Sequence, residues 1–198
     1  MNRATRLLKP AVFAAALLPL AWLVWRAATD GLGANPIETL IRDLGDWALR
    51  FLLIALAVTP LRRLSGWGTV GRLRRMLGLF AFFYAVLHVS SYIGLDQFFD
   101  WRAIGKDIVK RHYITVGMAA LALLIPLAAT STQSMIRRLG GRAWRRLHRA
   151  VYVVAPLAVV HFWMMVKAGH ARPLVYGLVA ALLLAARLPR FLGPPGRP

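Results

Sequence analysis

Apolar stretches long enough to cross a lipid bilayer recur along the 198-residue chain and constrain its fold more than any other feature. A helix that spans a bilayer needs about 20 apolar residues. Hydrophobic residues make up 59% of the chain, above the roughly 45–50% of soluble domains. Six candidate spans are present, at 10–28, 47–61, 76–95, 113–129, 147–166 and 174–188. The sequence therefore predicts an all-α integral membrane protein, with one six-helix bundle over residues 1–190 and a flexible cytoplasmic tail over 191–198.

The basic residues are distributed unevenly between the segments that connect these spans. We expect loops at 29–46, 65–75, 96–111 and 130–146. The N-terminus, the segment 62–75, the region 137–149 and the C-terminal segment 187–198 hold 17 of the 26 Lys+Arg and no acid, whereas the rest of the chain holds nine bases and all seven acids. The positive-inside rule then places both termini in the cytoplasm. The net charge of +19 thus reflects topology, and we expect no nucleic-acid partner.

The N-terminal segment combines basic residues with the first apolar stretch, which is also the pattern of a signal peptide. Its apolar part is long for a signal peptide, and no clear small-x-small cleavage site closes it. We therefore expect a retained first helix.

Absent residue types and motifs narrow the chemistry. The chain contains no cysteine, which excludes disulfides, Cys-type zinc sites, iron–sulfur clusters and covalent c-type haem. No Walker loop, G-x-G-x-x-G, G-x-S-x-G or H-E-x-x-H motif occurs, which argues against a hydrolase or a nucleotide-binding domain. The predicted spans contain no Asp, Glu or Lys, which argues against a proton-coupled transporter.

Histidines within the third and fifth predicted spans are the main candidates for a functional site. An imidazole in hydrocarbon is costly without a partner, so it either binds a cofactor or hydrogen-bonds to a neighbouring helix. His88 follows Arg75 by 13 residues and His161 follows Arg146 by 15. Both histidines should therefore lie roughly 20 Å beyond the cytoplasmic arginines, at one level on parallel helices. Such a pair can supply both axial ligands of a b-type haem, which leaves iron no open site and suits electron transfer.

His148 lies 13 residues before His161, about 20 Å nearer the cytoplasm. This spacing fits a second haem, but the residue at the matching level of the third span is Arg75, so another ligand would be needed. The two histidines are also about 140° apart on an ideal helix, and Pro156 between them can retwist it. His148 is therefore either a ligand of a second redox centre or an interfacial residue that contacts lipid headgroups.

Arg74 and Arg75 flank the cytoplasmic end of the third span. Guanidinium groups pair bidentately with carboxylates and phosphates, so these residues can hold haem propionates or a flavin phosphate. The alternative is a role in topology and lipid headgroup contact. His112 and His170 lie in outward loops, and we do not expect them to be ligands.

Four segments together resemble a known family over nearly the whole chain. The family is MsrQ (YedZ), the haem-binding membrane subunits of a bacterial methionine sulfoxide reductase system, within the ferric reductase-like transmembrane superfamily. The segments are R-R-M-L-G-L-F-A-F-F-Y-A-V-L-H-V-S-S-Y from Arg74, K-R-H-Y-I-T-V-G from Lys110, T-S-T-Q-S-M-I-R-R-L-G-G-R-A-W-R-R-L-H-R-A-V-Y from Thr130, and H-F-W from His161. The family's haem histidines match His88, His148 and His161. The chain departs from its relatives at His112, where they have proline. It also has a single histidine on the third span, where the superfamily often has two.

The resemblance implies a six-helix bundle in the bacterial inner membrane, surrounded by lipid, that carries one or two b-type haems. FMN is also associated with the family. It implies electron transfer from quinol or a cytoplasmic flavin reductase to a periplasmic molybdopterin-containing methionine sulfoxide reductase that repairs oxidised envelope proteins. The chain would then be an electron-transfer subunit, not the catalytic subunit. Two other functions remain open, a stand-alone ferric or quinone reductase of the same superfamily and a non-redox membrane carrier or assembly protein.

Overall fold

Eight α-helices make up most of the chain in the computed structural model, which describes residues 3–66, 68–167 and 169–187, with side chains from residue 7 onwards. The helices are α1 Arg3–Ala28, α2 Pro36–Ser65, α3 Arg74–Ser91, α4 Trp101–Lys110, α5 His112–Ala129, α6 Gln133–Leu147, α7 Val151–Met165 and α8 Ala171–Ala185. A 3₁₀ segment, Gly68–Leu73, precedes α3, and a π-helical turn, Tyr92–Asp96, follows it. The all-helical prediction is confirmed, whereas the tail predicted at 191–198 lies outside the described residues.

Five stretches of the described chain are long and apolar enough to cross a membrane. They are Leu7–Ala28, Pro36–Ser65, Gly68–Asp96, His112–Ala129 and Gln133–Met165. The sixth predicted span, at 174–188, corresponds to α8, an apolar helix of 15 residues that is shorter than the others. The structure thus supports a multi-pass membrane protein.

Helix α2 begins 11 residues before the predicted start of the second span, so the second half of the predicted loop at 29–46 was wrong. Asn35 caps the helix, because its side chain accepts a hydrogen bond from the Glu38 backbone N–H at 3.3 Å, and Pro36 occupies the first turn. Both features are typical of helix starts. The resulting 30-residue helix is about 45 Å long. The candidate span formed by α2 therefore contains three acidic residues, Glu38, Asp43 and Asp46, where the sequence predicted none.

The predicted loops at 96–111 and 130–146 were also wrong, because they contain α4 and α6. Asp100 caps α4 by accepting from the N–H groups of Arg102 and Ala103 at 2.9 and 3.0 Å. Thr132 caps α6 by accepting from the Met135 N–H at 3.2 Å. Helix α4 carries apolar residues along one face, as expected for a helix at a membrane surface. Helix α6 is kinked at Gly140, whose backbone is not helical. The many charges of both segments led to the loop interpretation.

The fifth predicted span, at 147–166, is not one continuous helix. Helix α6 ends at Leu147, a 3₁₀ turn covers His148–Ala150, and α7 covers Val151–Met165. His148 and His161 therefore belong to different helical segments, and the angle calculated for one ideal helix does not apply to them.

The core centres on Tyr84, which is fully buried where α1, α2 and α3 meet. Its ring stacks on Phe51 with centroids 5.2 Å apart. Its hydroxyl donates to the Ala16 carbonyl at 2.8 Å and accepts from the Leu20 N–H at 3.1 Å. These two backbone groups are the ones that would bond to each other in an uninterrupted helix. The hydroxyl thus inserts into the hydrogen-bond ladder of α1 and fixes that helix against α3.

Candidate functional site

His88 on α3 and His161 on α7 come together between the helices. Their ring centroids lie 6.1 Å apart, and the ring planes are inclined at 78°. The sequence separates these residues by 73 positions, so the contact depends on the packing of the helices. This pair is the centre of the candidate site.

A backbone carbonyl and a glycine of α2 hold His88. Its Nδ1 lies 2.8 Å from the carbonyl oxygen of Ile41. A Cβ atom added to Gly45 would lie 3.0 Å from the same Nδ1 and 3.1 Å from Cε1. Position 45 therefore has no room for a side chain unless the imidazole moves.

His161 is held in the same way by α5. Its Nδ1 lies 2.7 Å from the carbonyl oxygen of Tyr113, and a Cβ atom on Gly117 would come within 2.8 Å of it. In both cases the glycine follows the carbonyl by four residues. A side chain at that position of a helix lies beside this carbonyl, so glycine opens a path to the oxygen for an external donor.

These contacts fix the tautomer of both imidazoles. A carbonyl oxygen can only accept, so each Nδ1 carries the proton and donates. Each Nε2 then keeps a lone pair, which is the state that binds a metal, and a carbonyl partner on the other nitrogen is the usual support of a metal-ligating histidine.

The donor set suits a haem better than a bare metal ion. A separation of roughly 6 Å between ring centroids accommodates one metal ion with bonds of about 2 Å to each imidazole. The residues that the structure describes contain no group of three or more His, Cys, Asp or Glu that could hold a metal ion by themselves. A haem needs only axial ligands, because its macrocycle supplies the other four. The pair and its two glycines therefore fit a haem.

His148 lies elsewhere, in the 3₁₀ turn between α6 and α7. Its ring stacks on Trp144 with centroids 3.9 Å apart, its Nδ1 lies 3.1 Å from the Trp144 carbonyl, and its Nε2 lies 3.5 Å from the Ser131 hydroxyl. His148 thus also has Nδ1 on a carbonyl, but no second histidine faces it among its described contacts.

Arg74 and Arg75 line a cavity of about 330 Å³ beside His148. Arg75 also donates from Nη1 to the Ser131 carbonyl at 3.3 Å. Ser131 therefore contacts both Arg75 and His148, which puts these two residues at the matching level that their spacing predicts. The rest of the cavity is mainly apolar, including Leu52, Phe82 and Leu124.

The remaining two histidines, His112 and His170, do not belong to the pair His88 and His161. His112 is exposed at the first position of α5. His170 precedes α8, and its ring packs against Trp163 with centroids 4.8 Å apart.

Sequence reasoning missed Gly45, Gly117 and the two carbonyls, and it also missed a charged network near them. Asp46 follows Gly45 and contacts Arg172 at 2.6 Å and Arg50 at 3.7 Å. The Arg50 Nε donates to the Tyr176 hydroxyl at 2.8 Å. This network joins α2 to α8 beside the segment that holds His88. The sequence signal for this network was the spacing of Asp46 and Arg50, an acid and a base one turn apart on α2.

The chain is similar to known proteins of one family over most of its length. Residues 44–159 match the family model described as the ferric reductase like transmembrane component. The chain is 61% identical over 183 residues to the "Protein-methionine-sulfoxide reductase heme-binding subunit MsrQ" of Rhodospirillum rubrum, which covers 92% of this chain and 88% of that protein. It is 53% identical over 184 residues to the protein of the same name from Herminiimonas arsenicoxydans, covering 92% and 84%. It is 51% identical over 177 residues to the one from Caulobacter vibrioides, covering 89% and 84%.

Proposed function

The chain belongs to the MsrQ family of haem-binding subunits, with the ferric reductase like transmembrane fold, and we propose that it carries electrons across a membrane through haem b. The observation that carries this proposal is the pair His88 and His161, 6.1 Å apart, each with Nδ1 on a backbone carbonyl.

Each ligand has a defined task. His88 and His161 would hold a haem through Nε2, and the carbonyls of Ile41 and Tyr113 accept the hydrogen bonds that keep the Nδ1 protons in place. A bound haem would supply a one-electron iron couple with no open coordination position. Gly45 and Gly117 provide the space for the imidazoles. The protein thereby holds the two imidazoles rigidly, which limits how far they would move when the charge of a bound iron changes.

We place a second redox centre at the cavity beside His148. The cavity of about 330 Å³ combines a histidine, apolar walls and the cations Arg74 and Arg75. Such surroundings suit an apolar ring system that carries anionic groups, either a second haem b or FMN. In this proposal His148 ligates or supports the centre, and Arg74 and Arg75 bind its propionates or phosphate.

We infer a six-helix topology in the bacterial inner membrane, with both termini in the cytoplasm. The support is the charge distribution along the sequence, since the segments that carry 17 of the 26 bases have no acid. Helix α8 serves as the sixth span. Its 15 residues extend about 22 Å, which a locally thinned bilayer accommodates at modest cost. The histidine pair then lies towards the periplasm and His148 towards the cytoplasm.

This orientation gives the electron path a direction. In this proposal quinol or a cytoplasmic flavin reductase would deliver electrons at the His148 end, and a haem held by His88 and His161 would supply the iron couple that passes them on. The acceptor is a periplasmic molybdopterin-containing methionine sulfoxide reductase catalytic subunit, which repairs oxidised envelope proteins. The relatives' printed name, which makes them the haem-binding subunit of a protein-methionine-sulfoxide reductase, supports a partner of this activity.

Absorption spectroscopy of the purified full-length protein tests the proposal. We expect a Soret band, and α-bands on reduction, that disappear in His88→Ala and in His161→Ala and persist in the matched variant His112→Ala. Unchanged spectra in His88→Ala or His161→Ala would refute the pairing. A pyridine haemochrome assay gives the haem-to-protein ratio. Reduction of ferric chelates or quinones by the isolated subunit, without any partner, would favour a stand-alone reductase instead.

A further inference from the structure

Asp107 on α4 connects the ends of two helices that hold the histidine pair. Its Oδ2 accepts a hydrogen bond from the Tyr92 hydroxyl at 3.1 Å, and its Oδ1 lies 3.0 Å from Nε of Arg111. Tyr92 lies one turn beyond His88, where α3 passes into its π-helical turn. The end of α3 thus engages one oxygen of the Asp107 carboxylate, and the residue that precedes α5 engages the other.

The same network continues to the backbone that holds His161. Arg111 donates from Nη1 to the Tyr113 hydroxyl at 3.2 Å, and the Tyr113 carbonyl accepts from His161 Nδ1 at 2.7 Å. The rings of Tyr113 and His161 also lie near each other, with centroids 6.5 Å apart. A chain of polar contacts therefore connects the turn after His88 to the carbonyl that holds His161.

The chain between α3 and α4 shows why α4 needs this attachment. Phe98 and Phe99 have φ angles of 47° and 61°, in the left-handed region that residues with a side chain rarely adopt. Among the residues of α4, all of which the structure describes, only Ile104 is buried. Little apolar packing therefore attaches α4 to the bundle. The Asp107 side chain is 16% exposed, and its two polar contacts supply much of the attachment.

We propose that Asp107 is a positioning residue for the pair His88 and His161. Because it holds Tyr92 and Arg111 in place, it fixes the end of α3 relative to the start of α5. It thereby sets the inclination of the two imidazoles, which is 78° in this structure. Contacts beyond the ligands themselves are known to orient ligating side chains. The inference deepens the proposed function and rests on it, because the inclination matters only when the pair holds a haem.

Two variants break the network at different points. Asparagine has one acceptor oxygen, so Asp107→Asn places an NH₂ group against either the Tyr92 hydroxyl or the Arg111 guanidinium. Tyr92→Phe removes one hydroxyl and keeps the Asp107 charge, and it serves where Asp107→Asn does not fold. Glu38→Gln is the matched control, because Glu38 also pairs with an arginine four residues later, and that pair lies within α2.

The full-length protein with its haem is measured in two ways. Electron paramagnetic resonance of the ferric protein reports the angle between the imidazole planes, because this angle affects the splitting of the iron d orbitals. The signal of the pair is the one that disappears in His88→Ala. We expect it to shift and broaden in Asp107→Asn and in Tyr92→Phe, and to stay unchanged in Glu38→Gln. Transfer of haem to a competing acceptor should be roughly 3–10-fold faster in the first two variants, less than for loss of a direct partner of a ligating histidine.

The outcomes separate this inference from the proposed function. A haem-bearing wild type with the same signal as Asp107→Asn and Tyr92→Phe overturns the inference and leaves the proposed function intact. Faster haem transfer with an unchanged signal also overturns it, because the network then only stabilises the fold. An equal change in Glu38→Gln overturns it as well, because loss of any acid would then suffice. A wild type that holds no haem, even after reconstitution with haemin, refutes both.

Discussion

The glycine behind each histidine of the pair gives the most direct test of the candidate site. In Gly117→Ala the new methyl group would lie 2.8 Å from His161 Nδ1 and 2.9 Å from Cε1. Real Cβ atoms do not come this close to other heavy atoms, so the imidazole must shift. The shift acts directly on the 2.7 Å hydrogen bond between His161 and the Tyr113 carbonyl.

Two effects set the size of the response. Crowding a packed interior by one methyl group costs about 1–3 kcal/mol, and alanine returns up to about 1 kcal/mol through its higher helix propensity. The second effect is on the cofactor, because loss of the partner of a metal-ligating histidine lowers affinity by roughly 10–100-fold. Gly45→Ala should have the same effects in weaker form, since its methyl group would lie 3.0 Å from His88 Nδ1.

The assay is haem retention during titration with a competing haem acceptor, together with the thermal unfolding midpoint. We expect Gly117→Ala to lose more haem, and to unfold at a lower temperature, than Gly45→Ala. Gly105→Ala on α4 is the matched control, because a methyl group there meets nothing within 4 Å. If Gly117→Ala binds haem as tightly as Gly105→Ala, the glycine does not serve the site and the argument from close approach is wrong.

Three further changes test other parts of the structure. Tyr84→Phe removes the hydroxyl that the Ala16 carbonyl and the Leu20 N–H share. Because these two groups can then bond to each other, we expect only about 0.5–1.5 kcal/mol of destabilisation in a detergent unfolding titration. Asn35→Ala removes the cap of α2 and should cost about 1 kcal/mol in the same titration, with haem content unchanged. His148→Ala should leave the absorbance of the outer haem in place and abolish only a second centre, as seen by the haem-to-protein ratio and by redox titration.

The apolar spans could be predicted from the sequence because hydrophobicity alone determines them. Helix α5 begins at His112 and ends at Ala129, within one residue of the predicted span at 113–129. The polar helices could not be found in that way. Asn35, Asp100 and Thr132 are the N-terminal capping residues of α2, α4 and α6. The charged residues around these caps led to the interpretation of α4, α6 and the start of α2 as loops. The capping residues are the sequence signal that identifies these segments as helices.

The two histidines could be singled out from the sequence, because ionisable residues in apolar spans need partners. Their supports could not. The carbonyls of Ile41 and Tyr113 are backbone atoms, which no residue type signals, and their part in the site depends on how α2 and α5 pack. Glycine is frequent in membrane helices, so the sequence alone does not single out Gly45 and Gly117. They can be assigned to the site only because the structure places a histidine against each of them.

The arginines at the end of the bundle near His148 contact helix carbonyls. Arg63 donates to the Ala186 carbonyl at 2.9 Å, Arg75 to the Ser131 carbonyl at 3.3 Å, and Arg187 to the Leu56 carbonyl. The first two carbonyls lie just beyond the C-termini of α8 and α5, where helices carry partial negative charge. The third lies where Pro60 interrupts α2.

Arginine can cap a helix end and keep further N–H groups for an anion, because its guanidinium has five donors in a fixed plane. At the Asp43 end of the bundle several arginines instead pair with carboxylates, as Arg26 does with Asp43 at 2.9 Å. Among the described residues arginine thus has two uses, because it donates to helix carbonyls near His148 and neutralises acids at the opposite end.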